Sequence, residues 1–239
     1  MADHNSTASH SFDEYAAHYD RALARGLDVT GEDRNYYARR RVEWLRRRLD
    51  RLGLGCGNVI EFGCGTGTNI PFLVELANAS SVLGIDASEK SLEIARKKFG
   101  SHNARFLTTR EYAPDGRADL VFCNGVFHHI PPADRASAAE YLYHCLKPGG
   151  LFALWENNPW NPGTRWVMSR IAFDKDAITL SSPQAQRLVR EAGFEVLRTD
   201  FLFIFPHALR LLRRLESLLS RLAIGGQYEV LSRRPRAAS

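Results

Sequence analysis

The stretch Val59-Ile60-Glu61-Phe62-Gly63-Cys64-Gly65-Thr66-Gly67-Thr68-Asn69 constrains this chain more than any other. A short apolar run carries an acid, three glycines then alternate, and a helical pattern begins beyond them. That order reads as strand, tight turn, helix. Glycine suits such a turn because the backbone needs unusual dihedrals and because a ligand can touch bare peptide there. Amide N–H groups left over at a helix N-terminus favour a carboxylate or phosphate. The dinucleotide fingerprint G-x-G-x-x-G would put its third glycine at position 68, but that residue is Thr68 and the third glycine is Gly67. Glu61, two residues before the first glycine, is also foreign to that fingerprint.

The rest of the pattern alternates strands with helices. Strands are predicted at Val59–Phe62, Ser81–Asp86, Ala104–Leu107, Ala118–Asn124 and Leu151–Trp155, then at Glu195–Phe205 and Gln227–Ser232. Helices are predicted at Arg34–Leu52, Asn69–Ala77, Ser88–Phe99, Ala133–Cys145, Arg165–Ala172 and Ser182–Ala192. Alternation of this kind implies an α/β fold with a mainly parallel sheet, whose ligands sit beyond the C-terminal strand ends. Glu61, Asp86, Thr108, Asn124 and Glu156 all fall at or just after those ends.

With 239 residues, 44% hydrophobic and 25% charged, the chain can bury a sizeable core. Its formal charge of +5 is not evenly spread. From Pro206 onward there are seven Arg, no Lys and two Glu, and the rest of the chain is neutral. Nucleic-acid binding therefore does not follow from the global charge, and none is expected. The arginines of the 34–52 helix read as a solvated face, without the aromatic interleaving that single-strand binding needs. Cys56, Cys64, Cys123 and Cys145 form no CxxC pair, and no Cys/His cluster has zinc spacing, so buried thiols and no metal are expected. The polar stretch 1–11 lacks the apolar segment of a secretory signal and reads as a disordered tail of a cytoplasmic protein.

The run E-F-G-C-G-T-G, with Asp86 one strand later, resembles the first motif of class I S-adenosylmethionine-dependent methyltransferases of the small-molecule type. The resemblance covers residues 12–155 well and the remainder loosely. It implies a Rossmann-like, seven-stranded, mostly parallel sheet with helices on both faces and an antiparallel last strand. It implies S-adenosyl-L-methionine as cofactor and in-line methyl transfer to a small-molecule or lipid-intermediate acceptor. The family also has an N-terminal helix like F-D-E-Y-A-A-H-Y-D, so residues 12–52 read as a helical lid with Tyr15 and Tyr19 over the cofactor, with docking of Phe12, Tyr15 and Tyr19 on the core as the alternative. Residues 53–155 would form the cofactor-binding core, and 156–239 the acceptor side.

Within that frame each part of the cofactor has a candidate partner. Asp86 suits the ribose diol, because a carboxylate can accept two charge-assisted hydrogen bonds. Glu61 suits the ammonium. Gly63, Cys64, Gly65, Thr66, Gly67 and Asn69 form the cradle, and Ala87, Thr108 and Thr109 the adenine pocket. Relatives usually have an Asp near position 108; threonines stand there in this sequence. Asn124, Gly125 and Val126 would run under the methionine part. His128 and His129 are candidate general bases, with structural packing as the alternative. Glu156, Asn157, Trp160 and Trp166 are candidate acceptor-binding residues, with a structural tryptophan loop as the alternative. No N/D-P-P-[YF] tetrapeptide follows the fourth strand, which disfavours an amide or nucleobase nitrogen as acceptor.

Residues 207–224 read as an inserted amphipathic helix before the last strand. Its stripe is Ala208, Leu211, Leu212, Leu215, Leu218, Leu219 and Leu222, with arginines off it. Packing on the domain, a homodimer interface and peripheral contact with an anionic membrane are the three readings. Two other functions compete with methyl transfer: a non-catalytic S-adenosylmethionine-binding protein, and a nicotinamide-dependent oxidoreductase, against which Gly67 argues.

Overall fold

A computed structural model describes residues 30–75, 77–100, 103–171, 174 and 177–236. The predicted tail and lid helix, with Tyr15 and Tyr19, lie outside the described residues. Among the described residues there are seven strands. They belong to two compact units, one containing Arg34–Ala113 and the other Arg25–Asp33 with Pro114–Ser239.

The first unit runs α1 (Arg34–Leu52), β1 (Asn58–Phe62), α2 (Ile70–Glu75), β2 (Ser81–Asp86), α3 (Glu89–Phe99) and β3 (Ala104–Thr108). All three strands are parallel, with Glu61 opposite Gly84 and Asp86 opposite Thr108. This register brings the acid-bearing ends of the strands to one edge of the unit. Ser88, where the predicted helix begins, caps α3: its Oγ accepts the Ser91 N–H at 3.2 Å.

In α1 the sequence reading needs correction. Arg41 and Arg48 are buried with Val42, Leu45 and Leu49, not solvated. Helical spacing puts 41, 45 and 48 on one face, and long arginine stems can lie along apolar surface. An aromatic ring does stand among the arginines: Trp44 is buried, and the Arg48 guanidinium covers it at 4.5 Å from the centroid. Its face is committed inside the protein, so it offers no stacking platform.

The second unit runs β4 (Ala118–Asn124), α4 (Arg135–Cys145), β5 (Leu146–Asn157), α5 (Pro162–Met168), α6 (Ser182–Glu191), β6 (Glu195–Leu202), α7 (Glu216–Leu219) and β7 (Gln227–Arg233). Tight 3₁₀ turns occupy Phe127–His129, Pro132–Asp134 and His207–Leu215. β4 and β5 are parallel, and β7 is antiparallel to both β5 and β6, as the resemblance implied. Leu146–Gly150, ahead of the predicted Leu151–Trp155 strand, is the start of a long β5, whose pairing with β4 shifts register between Ala118 and Leu120. Ser181, not Ser182, caps α6, in a capping box with Gln184. Trp155, Tyr228, Phe122 and Phe152 fill this unit's core.

The 207–224 segment is not one helix. It starts as a 3₁₀ turn kinked at Leu209, and only Glu216–Leu219 is α-helical. A 3₁₀ turn repeats every three residues, so the 3.6-residue leucine stripe cannot gather on one packed face. Polar groups face inward instead. Arg213 donates to Phe205 O at 3.1 Å and to Glu32 Oε1 at 2.8 Å, and Glu216 Oε1 accepts the Ile204 N–H at 3.0 Å. The Phe201 N–H donates to Ser220 O at 2.7 Å. Leu211 and Leu218 are 85% and 78% exposed, and Leu212, Leu215 and Leu222 are exposed too. Leu219 alone of these leucines is half-buried, so most of the stripe faces away from the domain.

Candidate functional site

The glycine loop lies in the first unit. Gly63, Gly65 and Gly67 have φ of 69°, 52° and 84°, where side chains are strained. At Gly67 space matters as well. A Cβ there would lie 2.7 Å from Phe99 Cδ2 of α3, which explains a third glycine one position early for a dinucleotide loop. A Cβ at Gly65 would meet nothing within 4 Å, so that peptide faces open space.

The loop amides are less free than the sequence implied. Gly63 and Cys64 N–H both donate to Ile85 O, and Gly67 N–H donates to Cys64 O. Gly65 N–H donates to Asp86 Oδ2 at 2.7 Å, while Ser88 N–H donates to Asp86 Oδ1 at 2.9 Å. The carboxylate of Asp86 thus clamps the loop to the end of β2. An ionised carboxylate offers about four acceptor sites in all.

Glu61 is a buried acid. It is 1% exposed, and Asn69 Nδ2 donates to its Oε1 at 2.6 Å. Its Oε2 and Asn69 Oδ1 are buried without a hydrogen-bond partner among the described residues. Burial pushes the Glu61 carboxyl up to about 8, against the Asn69 bond, with the negative Asp86 adding to the rise and Arg41 opposing it. Two buried acceptors lacking donors are a receptacle for a cation with N–H groups. Burial also pushes the neighbouring Cys64 thiol well up, leaving it inert.

At the end of β3, Thr109 N–H donates to Asp86 O at 3.0 Å, which joins Asp86, Ala87, Thr108 and Thr109 in one corner. Thr108 is committed locally: its N–H and hydroxyl both donate to Glu111 Oε2, at 2.7 and 2.9 Å. The same bonds hold the Glu111 carboxyl below its ordinary range. The corner therefore has a carboxylate after all, supplied by Glu111. A T-x-x-E capping pattern signalled it in the sequence.

In the second unit, Asn124 ends β4 with its Oδ1 buried and unpartnered among the described residues. Gly125, at φ 67°, donates to Trp155 O at 2.9 Å, and Val126 leads into the Phe127–His129 turn. His128 is buried there. Its Nδ1 lies 2.6 Å from Glu156 Oε2, and its Nε2 3.6 Å from Asp174 Oδ1. Burial alone would depress the imidazole, but the Glu156 and Asp174 carboxylates outweigh it and lift His128 to about 10. Those carboxylates favour a proton on the ring while no other cation takes Nε2, which weakens His128 as a general base. Glu156 Oε1 accepts the Phe127 N–H at 2.8 Å, so both its oxygens hold the turn rather than reach outward. His129 is half-buried, with Nε2 3.4 Å from Asp174 Oδ1. Asp174 was missed in the sequence because it is far along the chain from both histidines. It is held near them by the Ile178 N–H bond to His128 O at 2.9 Å.

The other acceptor-side candidates lie around α5. Trp160 and Trp166 are 53% and 49% exposed, with the Arg170 guanidinium 4.2 Å from the Trp166 centroid. Asn157 accepts from Gln227 Nε2 at 2.9 Å. Asn158 Nδ2 donates to Ala223 O and Gly225 O, Asn161 Nδ2 to Ile224 O, and Thr164 Oγ1 to Gly226 O. These bonds tie the tryptophan loop to the turn that follows the leucine segment.

Residues 60–152 match a family model described as a methyltransferase domain. A trans-aconitate 2-methyltransferase from Azoarcus is 32% identical over 128 residues, 52% of this chain and 50% of that protein. An uncharacterised methyltransferase from Synechocystis is 28% identical over 180 residues, covering 72% and 79% of the two chains. The methyltransferase solved with the Haloferax volcanii Trm112 activator superposes with a TM-score of 0.63 at 22% identity, covering 94% of this chain and 98% of that one. The methyltransferase-domain match is confined to residues 60–152, and the likeness in fold to solved S-adenosylmethionine-dependent methyltransferases extends over most of the chain. The chain spans about half the length of the trans-aconitate 2-methyltransferases that it matches.

Proposed function

We propose that this protein transfers a methyl group from S-adenosyl-L-methionine to a small-molecule or lipid-linked acceptor. The observation that carries the reading is Glu61: a buried carboxyl with one oxygen lacking a donor, beside the bare Gly65 peptide. The residues fit the cofactor. Glu61 and Asn69 offer acceptors to an ammonium, Asp86 accepts from hydroxyls while clamping the loop, and Gly65 admits close approach. When bound, S-adenosylmethionine supplies a methyl group on a sulfonium that departs as a neutral thioether. No acid is then required, and positioning does most of the work; alignment of reactants can contribute about 7–11 kcal/mol.

The acceptor is read from the second unit. Exposed Trp160 and Trp166 offer flat apolar surface, and Asn157 a polar contact. The names of the trans-aconitate relatives support a small organic acid as the first acceptor to try. The exposed leucines and arginines of 207–224 support an apolar, membrane-associated acceptor, with the leucines inserting between anionic headgroups. No described helix is long and apolar enough to cross a membrane.

The test is calorimetric binding of S-adenosylmethionine to the wild type and to Asp86→Ala, with NADH in parallel, followed by radiolabelled methyl transfer to trial acceptors. Binding weakened at least about tenfold in the variant supports the reading, as for a lost charge-assisted hydrogen bond. Binding of NADH alone, or binding indifferent to Asp86, overturns it.

A further inference from the structure

We infer that His128, His129 and Asp174 form a binding site for one divalent transition metal ion, with zinc as the best match to the donors. Each of the three residues offers one donor atom, and the three donors lie within 4.8 Å of one another. Asp174 Oδ1 stands 3.6 Å from His128 Nε2 and 3.4 Å from His129 Nε2. Charge-assisted hydrogen bonds draw their heavy atoms to about 2.7–2.9 Å, so both separations are long for that purpose. They suit two donors sharing one ion, because zinc bonds of about 2.0–2.1 Å at a tetrahedral angle hold donor atoms about 3.3 Å apart.

The contrast with Glu156 sharpens the point. Its Oε2 sits 2.6 Å from the other nitrogen of His128, at true hydrogen-bond distance. A carboxylate on Nδ1 fixes the tautomer that aims the Nε2 lone pair away from it, toward Asp174. Ligating histidines are commonly backed in this way. The two rings converge, their centroids 4.1 Å apart. His128 and Asp174 are buried, while the side chain of His129 is 15% exposed and gives the ion a way in.

Two imidazoles and one carboxylate favour zinc and its neighbours over magnesium or calcium, which seek oxygen. Three protein ligands leave a fourth position for water or for an oxygen of a bound molecule. Sequence spacing hid this group because two ligands are adjacent and the third is distant. The proposal does not rest on methyl transfer, and its test needs no cofactor.

The experiment uses untagged full-length protein stripped with a chelator. Zn²⁺ is titrated by calorimetry against wild type, His129→Gln, Asp174→Asn and Glu156→Gln, and the visible spectrum of the Co²⁺ form is recorded. The expected result is one equivalent of Zn²⁺, tetrahedral cobalt bands, and affinity lowered at least about 100-fold by either ligand substitution. Removing the Glu156 carboxylate should lower it about 10–100-fold. His129 is partly exposed, so His129→Gln should keep its fold, as circular dichroism will verify. The proposal is overturned if no stoichiometric zinc binds, or if folded His129→Gln and Asp174→Asn bind it as the wild type does. The cluster is then an ion-pair node holding a protonated His128.

Discussion

Replacing Glu61 with Gln should make the protein more stable at alkaline pH while removing its affinity for cofactor. The Glu61 carboxyl is raised by burial from 4.5 to about 8. Between those values the native protein keeps a proton that the unfolded chain has lost. The contribution of this group to stability therefore falls as pH rises from about 4.5, and the loss is complete above about 8. At about 1.4 kcal/mol per pH unit, the full loss approaches 5 kcal/mol. Urea unfolding at about pH 5.5 and about pH 8.5 samples roughly 3 kcal/mol of it. The wild type should lose that amount relative to Glu61→Gln, because glutamine keeps the bond from Asn69 and cannot ionise. The variant should also bind S-adenosylmethionine at least about 100-fold more weakly, through loss of the carboxylate that faces the ammonium. Parallel pH profiles, differing by less than about 1 kcal/mol, would refute the reasoning. Glu61 would then be hydrated, and its unpartnered oxygen would carry no argument about the cofactor.

Three further outcomes are expected. Gly67→Ala should destabilise the protein by about 2–4 kcal/mol in urea, since its Cβ would collide with Phe99 and φ is +84°; a smaller change means that α3 yields easily. Wild-type protein should bind proton-linked cofactor near neutrality. Calorimetry in buffers of different ionisation enthalpy should show proton release as Glu61 ionises, and a buffer-independent enthalpy would contradict this. Cosedimentation with phosphatidylglycerol vesicles, but not with phosphatidylcholine, should fall about tenfold in Leu211→Ser/Leu218→Ser. A wild type that ignores both vesicles, or that dimerises through these leucines, removes the membrane reading.

Local patterns carried most of the architecture. α1, β2 and β4 end where their periodicity and flanking residues place them, because each is bounded by short-range signals such as the Ser88 cap. The segment 207–224 was misread because an i, i+3, i+4 leucine pattern describes a helix equally well whether it faces core or solvent. The polar anchors Arg213 and Glu216 decided the outcome, and their partners Glu32 and Ile204 are tertiary neighbours. The acid and glycines of the loop were legible as a motif. The burial of Glu61 was not, since it and the lack of a donor to Oε2 arise only in the fold. Asp174 joins His128 and His129 through chain packing that no spacing rule records.

β7 lies later in the sequence than both strands it pairs with, β5 and β6. During synthesis from the N-terminus, α1 to β3 can assemble from neighbouring segments as soon as they emerge. β5 and β6, in contrast, present open edges to the cell until Gln227–Arg233 has left the ribosome. A nascent chain stalled before that point would expose two unpaired strand edges, a template for aggregation. Chaperone dependence should therefore be greatest for chains truncated just short of β7.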